Sequence, residues 1–403
     1  MDKPKAILTP KGERWFRSGH PWIFRDDVSS LNEAENGDIV ALYNPQNTFL
    51  GWAFYSQHSR ITFRFITSNP RIIDQAYWRL TLQKAVDSRK EFLDRNQACR
   101  LVFSEADGIP GLIADWYAGH LVIQTLIQGI DRILGQLGPI FHELFDPDSI
   151  LIRNDFEARS IEHLPQEVRT FYGRVPEKVL VEEGPVRYEV DLVSGQKTGA
   201  YLDQRENRLH LVLYPQSQGR VLDSFCYTGG FALHLAGKAN EVIAVDDSAS
   251  ALAWGQKNAE LNGFSNITFQ KKNIFDYLKD ADEQGLKFDL IVLDPPPFAR
   301  KKSAVSAALR GYQELNRRAL RCLNPGGILS TYSCSYHITE SLFLEILSHS
   351  AQKAGGRILL LEKRIQARDH PVLLTFPESL YLKGLILQMA WTKRLTLDKP
   401  LGP

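Results

Sequence analysis

The chain has 403 residues, of which 43% are hydrophobic and 24% are charged, and its formal net charge is +1. This composition is that of a globular protein with two or three domains, and it excludes a chain-wide basic excess, so any nucleic-acid site has to be a local patch. Four cysteines without C-x-x-C spacing, no apolar run near ~18 residues and no secretory leader predict a soluble cytoplasmic protein with free thiols.

Residues 1–70 are predicted to form a small β module. Its strand-like runs are I-V-A-L-Y, F-L-G-W-A-F-Y and I-T-F-R-F-I-T, and the turn-forming segments N-P-Q-N and S-Q-H-S separate them.

A basic and aromatic segment, K-G-E-R-W-F-R-S-G-H-P-W-I-F-R, lies near the start of this module. In it, Lys11, Arg14 and Arg17 alternate with Trp15 and Phe16. Phosphates need cations and unstacked bases need flat partners, so the pattern suits RNA. The alternative is a helix and turn that pack their aromatic side chains onto the barrel behind a solvated charged face.

Residues 71–190 are predicted to form a central α+β domain, because helical and strand-like apolar spacings alternate there. Glu105 and Asp107 indicate a turn rather than a catalytic carboxylate pair. The segment E-E-G-P at 182–185 predicts the linker into a last domain at 191–403.

A glycine-flanked loop, G-Q-K-T-G-A-Y-L-D-Q-R-E-N-R, lies near the start of the last domain. Loop glycines allow a ligand to approach the backbone closely, and Lys197 supplies a cation beside it. A bare turn accounts for the same pattern, and both interpretations stay open.

The stretch from Arg220 to Ser335 alternates short apolar runs with segments of helical period, which predicts βαβ units and a parallel sheet. Ligands of such sheets bind beyond the carboxyl ends of the strands. The first run enters the glycine turn F-C-Y-T-G-G-F, which is neither G-x-G-x-x-G nor a phosphate loop. The second ends in Asp246, where a carboxylate can bind ribose hydroxyls, and the third places Asn273 at the base edge of an adenosine. With D-P-P-P-F, these features predict an S-adenosylmethionine site rather than a hydride cofactor.

The fourth strand ends in D-P-P-P-F, from Asp294 to Phe298. Consecutive prolines fix φ and lack N–H donors, so they hold a rigid turn that can project the carboxylate and the ring into the cleft. Such groups suit a flipped base, with the ring stacking and the carboxylate bonding an edge nitrogen. A purely structural proline turn is the alternative.

A helix is predicted over residues 304–323, and basic residues are concentrated on it and just before it. These residues are Lys301, Lys302, Arg310, Arg317, Arg318 and Arg321. The cluster can neutralise phosphates, or it can be a solvated helix face.

Cys334 follows the strand I-L-S-T-Y and is expected in the same cleft, whereas Cys99 and Cys322 fit the usual role of cysteine as a small buried hydrophobe. Cytosine C5 is too electron-poor to attack a methyl sulfonium, but addition of a thiolate at C6 makes C5 nucleophilic. Asp294 could assist by bonding N3 and the amino edge. Methylation of an exocyclic amine needs no thiol, so Cys334 decides between the two reaction classes.

Over nearly its whole length, the chain resembles the RlmI-type large-subunit ribosomal RNA cytosine-C5 methyltransferases. The segments that carry the resemblance are H-P-W-I-F, E-A-D-G-I-P-G-L-I-A-D, Q-K-T-G-A-Y-L-D-Q-R, F-C-Y-T-G-G-F, D-P-P-P-F, R-G-Y-Q-E-L-N, N-P-G-G-I-L, S-C-S and D-H-P-V-L-L-T-F-P-E-S-L-Y-L-K-G. The resemblance implies a PUA domain at the N-terminus, cofactor contacts at Asp223, Gly229, Asp246 and Asp294, and a nucleophile at Cys334. With the rest of the glycine turn and the third strand end, the expected cofactor set also includes Phe225, Tyr227, Gly230 and Asn273.

Three positions depart from the family pattern. The cofactor turn reads F-C-Y where the family usually has F-S-Y or F-A-Y, and Asn273 stands where Asp is common. D-P-P-P-F carries a third proline where lysine, threonine or another residue often occurs. Sister families with D-P-P-x-F methylate other bases, so the target base stays open.

The sequence therefore predicts an α/β protein with a PUA-like RNA-binding β barrel (1–70), a central α+β domain (71–190) and a Rossmann-like class I methyltransferase domain (191–403). Expected RNA contacts are Lys11, Arg14, Arg17, Lys197, Phe298 and Arg310. The expected reaction is methyl transfer from S-adenosylmethionine to C5 of a cytidine in large-subunit ribosomal RNA, expected to be 23S, through a Cys334 adduct and without a metal or a membrane.

Two alternatives stay open beside this reaction. One is methylation of a guanine or adenine nitrogen in RNA, and the other is a non-catalytic RNA-binding or ribosome-assembly factor. The modified nucleotide, the form of the RNA substrate, the general base and the oligomeric state, with a homodimer among the options, are not determined by the sequence.

Overall fold

The architecture is that of a computed structural model in which residues 4–299 and 302–392 are described. Contacts between residues divide this part of the chain into two units. The first unit comprises residues up to 183 together with 188–203 and 367–379, and the second comprises 184–187, 204–366 and the residues from 380 onward. The predicted boundaries near 70 and 190 stay predictions.

The first sheet of the first unit has six strands. Its elements are β1 (Lys5–Leu8), α1 (Pro10–Arg17), β2 (Trp22–Phe24), β3 (Val28–Leu31), β4 (Ile39–Tyr43), β5 (Phe49–Tyr55) and β6 (Ile61–Thr67). The strand order is β2-β6-β5-β4-β1-β3, in which only the β1–β4 pair among those described is parallel. Helix α1 begins at Pro10 because Thr9 caps it by accepting a hydrogen bond from the Gly12 N–H at 3.0 Å.

The second sheet of this unit has five strands in the order β11-β10-β9-β8-β7. Its elements are α2 (Gln75–Asp87), β7 (Ala98–Phe103), β8 (Leu112–Tyr117), β9 (His120–Thr125), α3 (Gln128–Phe145), β10 (Ser149–Arg153) and β11 (Val168–Gly173). Helices α2 and α3 contribute to the apolar core of this sheet, where Trp78 and Phe141 are buried. The short strands β12 (Val179–Glu183) and β13 (Val186–Val190) pair with each other.

The second unit is built on a seven-stranded sheet with the order β16-β15-β14-β17-β18-β20-β19. Its elements are α4 (Arg205–Leu211), β14 (Arg220–Ser224), α5 (Gly230–Ala236), β15 (Glu241–Asp246), α6 (Ala249–Leu261), β16 (Ile267–Lys271), α7 (Ile274–Glu283), β17 (Phe288–Leu293), α8 (Val305–Arg321), β18 (Leu323–Ser333), α9 (Glu340–Ala354), β19 (Gly356–Arg364) and β20 (Lys383–Thr392). Strands β14 to β18 are parallel, and β20 runs antiparallel to both of its neighbours. The predicted Rossmann-like fold is confirmed.

Helices cover both faces of this sheet, which explains the long apolar runs in its strands. Leu290, Ile291 and Val292 are each fully buried, as expected for a parallel strand packed on both sides. One core lies against α7, α8 and α9, and the other lies against α4, α5 and α6. The connections between parallel strands therefore place the strand ends, and the loops that follow them, at one edge of the sheet.

Within residues 4–299 and 302–392, no helix has both the length and the apolar character that a membrane crossing requires.

A buried ion pair connects the end of helix α2 to strand β7 and the turn that follows it. Arg89 is 1% exposed, and two of its guanidinium nitrogens each donate to an oxygen of Asp107 at 2.7 Å. The same guanidinium also donates to the carbonyl oxygens of Ala85 and Arg100. Glu105 and Asp107 lie in a single 3-10 turn, as predicted, and Asp107 serves this ion pair.

Asp107→Ala should lower the free energy of unfolding by about 3–5 kcal/mol, because it leaves the buried Arg89 cation without its counter-charge. Urea denaturation measures this change. Arg79→Met, which breaks an exposed ion pair with Glu143, is the control and should leave the urea midpoint unchanged. Equal midpoints for wild type and Asp107→Ala would contradict the assigned role of the pair.

Candidate active site

The chain passes from β14 into α5 through a strained turn. Phe225, Tyr227 and Gly229 have φ angles of 63°, 50° and 84°. Residues with side chains rarely adopt positive φ, and such strain is concentrated at ligand sites where the surroundings hold it. A Cβ at Gly229 would lie 3.3 Å from the Phe269 ring, so position 229 favours glycine for both its backbone angle and its space.

Asp246, at the end of β15, ties this turn to the sheet. Its two carboxylate oxygens accept hydrogen bonds from the N–H groups of Tyr227 and Ser248, each at 2.9 Å. Asp246 is half-buried, and a carboxylate has roughly four acceptor positions. Acceptors are therefore left for ligand hydroxyls.

Asp223 lies beneath the turn and is 1% exposed. The pKa of Asp223 is raised to about 8, mainly by burial and also by the nearby negative charges of Asp294 and Asp246, although the N–H of Ala232 donates to the carboxyl at 2.8 Å. Arg208 acts in the opposite direction. Asp223 therefore carries a proton at neutral pH in the folded chain.

Asn273, after β16, is exposed and caps helix α7. Its side-chain oxygen accepts a hydrogen bond from the Phe275 N–H at 2.9 Å. The capping bond fixes the side chain at this strand end, and the predicted contact with an adenine edge stays a prediction.

Asp294, after β17, is oriented by a row of amide side chains. The Gln204 amide nitrogen donates to the Asp294 carboxylate at 3.0 Å, and the Asn207 amide nitrogen donates to the Gln204 amide oxygen at 2.6 Å. Gln204 and Asn207 are buried. The carboxylate direction is thus set by groups that lie upstream of β14.

Phe298 closes the proline turn and packs inward. Its ring centroid lies 4.7 Å from that of Tyr312 and 6.2 Å from that of Phe275. The ring is half-buried, so one part of it is shared with the core beside α8. Its predicted stacking on a base stays a prediction.

Cys334 directly follows β18 and is half-buried, whereas Cys99, Cys226 and Cys322 are buried. The residues on both sides of it are fixed by one phenol: Ser333 donates to the Tyr312 hydroxyl at 3.0 Å, and the Tyr312 hydroxyl lies 3.0 Å from the Ser335 hydroxyl. Burial raises the pKa of Tyr312 to about 12. The phenol therefore stays neutral and serves as a hydrogen-bonding anchor.

A lysine on the neighbouring strand β20 also lies at this strand end, and sequence reasoning missed it. Lys383, the first residue of β20, is 8% exposed and donates from Nζ to the Ser335 carbonyl oxygen at 2.9 Å. Burial lowers its pKa to about 8, and Cys334 acts in the opposite direction when it is ionised. The sequence signal was Y-L-K-G, but only the pairing of β20 with β18 brings it to Cys334.

The predicted cofactor residues are thus brought to one edge of the second unit's sheet, as is Cys334. Gly230 begins α5 at the same edge. Lys197 belongs to the first unit, where its ammonium group pairs with Asp203 at 2.5 Å and lies over the Tyr201 ring. The role predicted for Lys197 stays a prediction.

The basic segment of the first unit forms helix α1, and its aromatic residues divide between core and surface. Phe16 packs edge-on against Phe65 at 5.1 Å, whereas Trp15 is 38% exposed. Lys11 pairs with Asp27, and Arg17 pairs with Glu13. A groove of about 480 Å³ lies here, lined by Lys11, Arg14, Trp15, Ser18, Phe24 and Asp27.

Most of the predicted basic cluster on α8 is neutralised. Arg317 and Arg318 pair with Glu314, and Arg321 pairs with Asp282. Arg310 is exposed and makes no ion pair with any residue that the structure describes. Lys301 lies outside the described residues.

Two family models match the chain. Residues 6–68 match a PUA-like domain, and residues 166–365 match the S-adenosylmethionine-dependent methyltransferase model. The latter makes S-adenosylmethionine the cofactor of the second unit.

Curated relatives match nearly the whole chain. Proteins called ribosomal RNA large subunit methyltransferase I are 40% identical in Aeromonas hydrophila, over 95% of this chain and 99% of theirs, and 39% identical in Tolumonas auensis, over 95% and 98%. The Vibrio cholerae protein is 37% identical over 94% and 98%.

Among solved structures, a candidate S-adenosylmethionine-dependent methyltransferase from Streptococcus mutans aligns with a TM-score of 0.81 over 95% of this chain and 99% of that one. A methyltransferase candidate complexed with SAH aligns with the same score. Both are 24% identical, so these matches show the fold alone.

The residues present fit the cofactor. The turn at Gly229 has no Cβ to obstruct a ligand, and Asp246 retains acceptors for hydroxyl groups. No group of three or more His, Cys, Asp or Glu side chains within the described part of the chain is arranged to hold a metal ion.

The raised pKa of Asp223 predicts a pH-dependent stability. Its ordinary pKa is 3.8, so between pH 4 and 8 the folded chain binds a proton that the unfolded chain has released. The free energy of unfolding should therefore fall as pH rises, by on the order of 1 kcal/mol per pH unit from this group.

Urea denaturation of wild type and Asp223→Asn at several pH values between 5 and 8 tests this expectation. Asparagine is neutral at every pH, so the difference between the two proteins should shift in favour of Asp223→Asn as pH rises. A constant difference would show that Asp223 is ionised throughout this range.

Proposed function

The chain belongs to the ribosomal RNA large subunit methyltransferase I family, and on that premise we propose that it methylates C5 of a cytidine in large-subunit ribosomal RNA through a covalent bond to Cys334. The observation that carries the cytosine chemistry is the half-buried thiol at the carboxyl end of β18, among the strand ends of the cofactor sheet. A thiol is required for C5 but not for methylation of an exocyclic nitrogen.

The thiol acts before methyl transfer. The Cys334 thiolate adds to C6 of the cytosine, and the electron pair of the C5–C6 double bond becomes available at C5. Bound S-adenosylmethionine would supply the electrophilic methyl group, whose bond to the sulfonium sulfur would break to leave a neutral thioether. After C5 gains the methyl group, a base removes the C5 proton, the double bond re-forms and the bond from carbon to Sγ breaks, which returns Cys334 as a thiolate.

Asp294 is proposed to hold the target base. Its carboxylate is directed by Gln204 and Asn207, so it offers a fixed acceptor at the end of the strand beside β18. A proton shared between the Asp294 carboxyl group and N3 stabilises the negative charge that develops on the ring when the thiolate adds, and a carboxyl oxygen that accepts from the amino group fixes the base. The negative potential at Asp294 also discourages binding of a base that presents only acceptors.

The rigid turn is proposed to hold the cofactor. Asp246 accepts hydrogen bonds from the ribose hydroxyls while it keeps the turn folded, Asn273 lies at the next strand end, and the backbone around Gly229 approaches the ligand closely. Asp223 supports the turn from below through the Ala232 N–H.

RNA binding by the first unit is proposed to use helix α1. Arg14 and the exposed part of Trp15 line one groove with Lys11, so a phosphate and an unstacked base can bind side by side. Arg17 adds to the positive charge of this face. Arg310, on α8 of the second unit, is a further proposed phosphate contact.

Asp246→Ala should weaken S-adenosylmethionine binding at least ~10-fold, because the carboxylate is lost as an acceptor and the turn loses the hydrogen bond from the Tyr227 N–H that fixes it. Isothermal titration measures the dissociation constant. The neighbouring exposed Asp247→Ala is the matched control and should bind as wild type does. Equal weakening by both variants would show that general charge, and not the Asp246 contact, determines affinity.

Methyl transfer should produce 5-methylcytidine and should depend on Cys334. Large-subunit ribosomal RNA transcribed in vitro is incubated with the protein and methyl-labelled S-adenosylmethionine, and nucleosides from the digest are identified by mass spectrometry. Cys334→Ala should reduce incorporation by at least ~10³-fold, and Cys322→Ala, at a buried position before the amino end of β18, should retain it.

Two other results would contradict the proposal, and each would indicate a different function. A labelled methylguanosine or N-methyladenosine, formed equally well by Cys334→Ala, would assign nitrogen methylation. No incorporation together with no S-adenosylmethionine binding would assign a non-catalytic RNA-binding role.

A further inference from the structure

We propose that Lys383 is a positioning residue for the methyl transfer, which keeps Cys334 in its thiolate form by holding an ammonium group beside it. This inference rests on the proposed role of Cys334 as the nucleophile.

Strand pairing and one hydrogen bond place Lys383 against the two residues that flank Cys334. Strands β18 and β20 pair antiparallel with Ser333 opposite Lys383, and directly opposed residues have their side chains on the same face of a sheet. The Lys383 ammonium group then donates to the Ser335 carbonyl at 2.9 Å. In the chain, Cys334 therefore lies between Ser333, which is opposite Lys383, and Ser335, whose carbonyl oxygen accepts the hydrogen bond from the Lys383 ammonium group.

The surroundings of Lys383 require a negative partner. Lys383 is 8% exposed, and within the described residues it makes no ion pair with a carboxylate. A buried cation is costly unless a counter-charge and hydrogen bonds compensate for the lost water. Cys334, when it is ionised, raises the pKa of Lys383 against the effect of burial.

Four other ionisable groups lie near Lys383 and Cys334, and none of them replaces Cys334 as the proposed partner of Lys383. Tyr312 on α8 and Tyr332 on β18 have pKa values raised by burial and are neutral near pH 7. Asp294 after β17 is close enough to act on both phenols. Arg364 on β19 donates to the Asn207 side chain and lies 3.6 Å from a Glu362 oxygen.

The interaction is reciprocal. A thiolate that raises the pKa of Lys383 has its own thiol pKa lowered by the ammonium group through the same interaction energy. The thiol loses its proton to water before the reaction begins. During turnover Lys383 keeps its protons, the thiolate adds to C6, and elimination returns the thiolate, so the pair ends each turnover as it began.

The test is the pH profile of Cys334 alkylation in the full chain. Iodoacetamide reacts with thiolates, and mass spectrometry of the peptide that contains Cys334 separates its rate from those of the three buried cysteines. Lys383→Met should raise the midpoint of the profile by about one pH unit or more and slow alkylation at pH 7 by about tenfold. Lys383→Arg keeps a positive charge and should keep a midpoint close to that of wild type.

Two further variants make the result decisive. Lys363→Met, on the neighbouring strand β19 and paired with the exposed Glu340, should leave the profile unchanged. Lys383→Gln provides a second neutral substitution in case Lys383→Met does not fold, as judged by its thermal unfolding curve. A midpoint in the folded neutral variant that equals that of wild type would overturn the inference.

The alkylation profile and the methyl-transfer assay fail independently. Methyl transfer that survives Cys334→Ala would overturn the nucleophile, and with it the catalytic meaning of Lys383, even if the alkylation midpoint shifts. Loss of methyl transfer in Cys334→Ala with an unshifted midpoint in Lys383→Met would retain the nucleophile and reject Lys383.

Discussion

The parallel pairing of strands β14 to β18 is the constraint on which the candidate site depends. Because all five strands run the same way, their carboxyl ends meet at one edge, and the residues that follow them are brought together from distant parts of the chain. Three carboxyl groups, those of Asp223, Asp246 and Asp294, lie at this edge. Their mutual repulsion and the burial of Asp223 keep one proton there, and the remaining negative charge suits a cofactor that carries a sulfonium.

The antiparallel strand β20 adds what the parallel strands lack. It supplies a cation at an edge otherwise rich in acids, and that cation donates to the carbonyl of Ser335, the residue after Cys334. The segment before it, residues 367–379, belongs to the first unit, where Asp369 accepts a hydrogen bond from the Arg100 N–H at 2.9 Å and the Phe376 ring lies 4.7 Å from Trp22. The D-H-P-V motif thus has a structural role within that unit.

The sequence signals for the predicted cofactor residues are local. A strand that ends in Asp or in a glycine turn can be recognised from a few neighbouring residues, and the second unit's fold followed from the alternation of strands and helices. Lys383 and Gln204 were missed because their importance depends on pairing and packing over long separations. Y-L-K-G contains the lysine, but no local pattern states which strand lies opposite it.

For the basic clusters too, local sequence does not show which charges are paired in the fold. The sequence alone does not distinguish Arg310 from the other three arginines of α8. In the structure, Arg317 and Arg318 pair with Glu314 one helical turn away, and Arg321 pairs with Asp282 on α7. Likewise, Trp15 and Phe16 are adjacent in sequence, and only the packing of α1 on the sheet determines that Phe16 contributes to the core while Trp15 remains accessible. Counting cations therefore overstates the surface available to RNA.

The covalent bond between Cys334 and cytosine is the central claim, and trapping it is its most direct test. Large-subunit ribosomal RNA that contains 5-fluorocytidine is incubated with the protein and S-adenosylmethionine and then run on a denaturing gel. Fluorine cannot leave C5 as a proton does, so wild type should form a protein–RNA complex that survives denaturation, and Cys334→Ala should form none. Methylation of ordinary RNA without any trapped complex on the fluorinated RNA would contradict the claim.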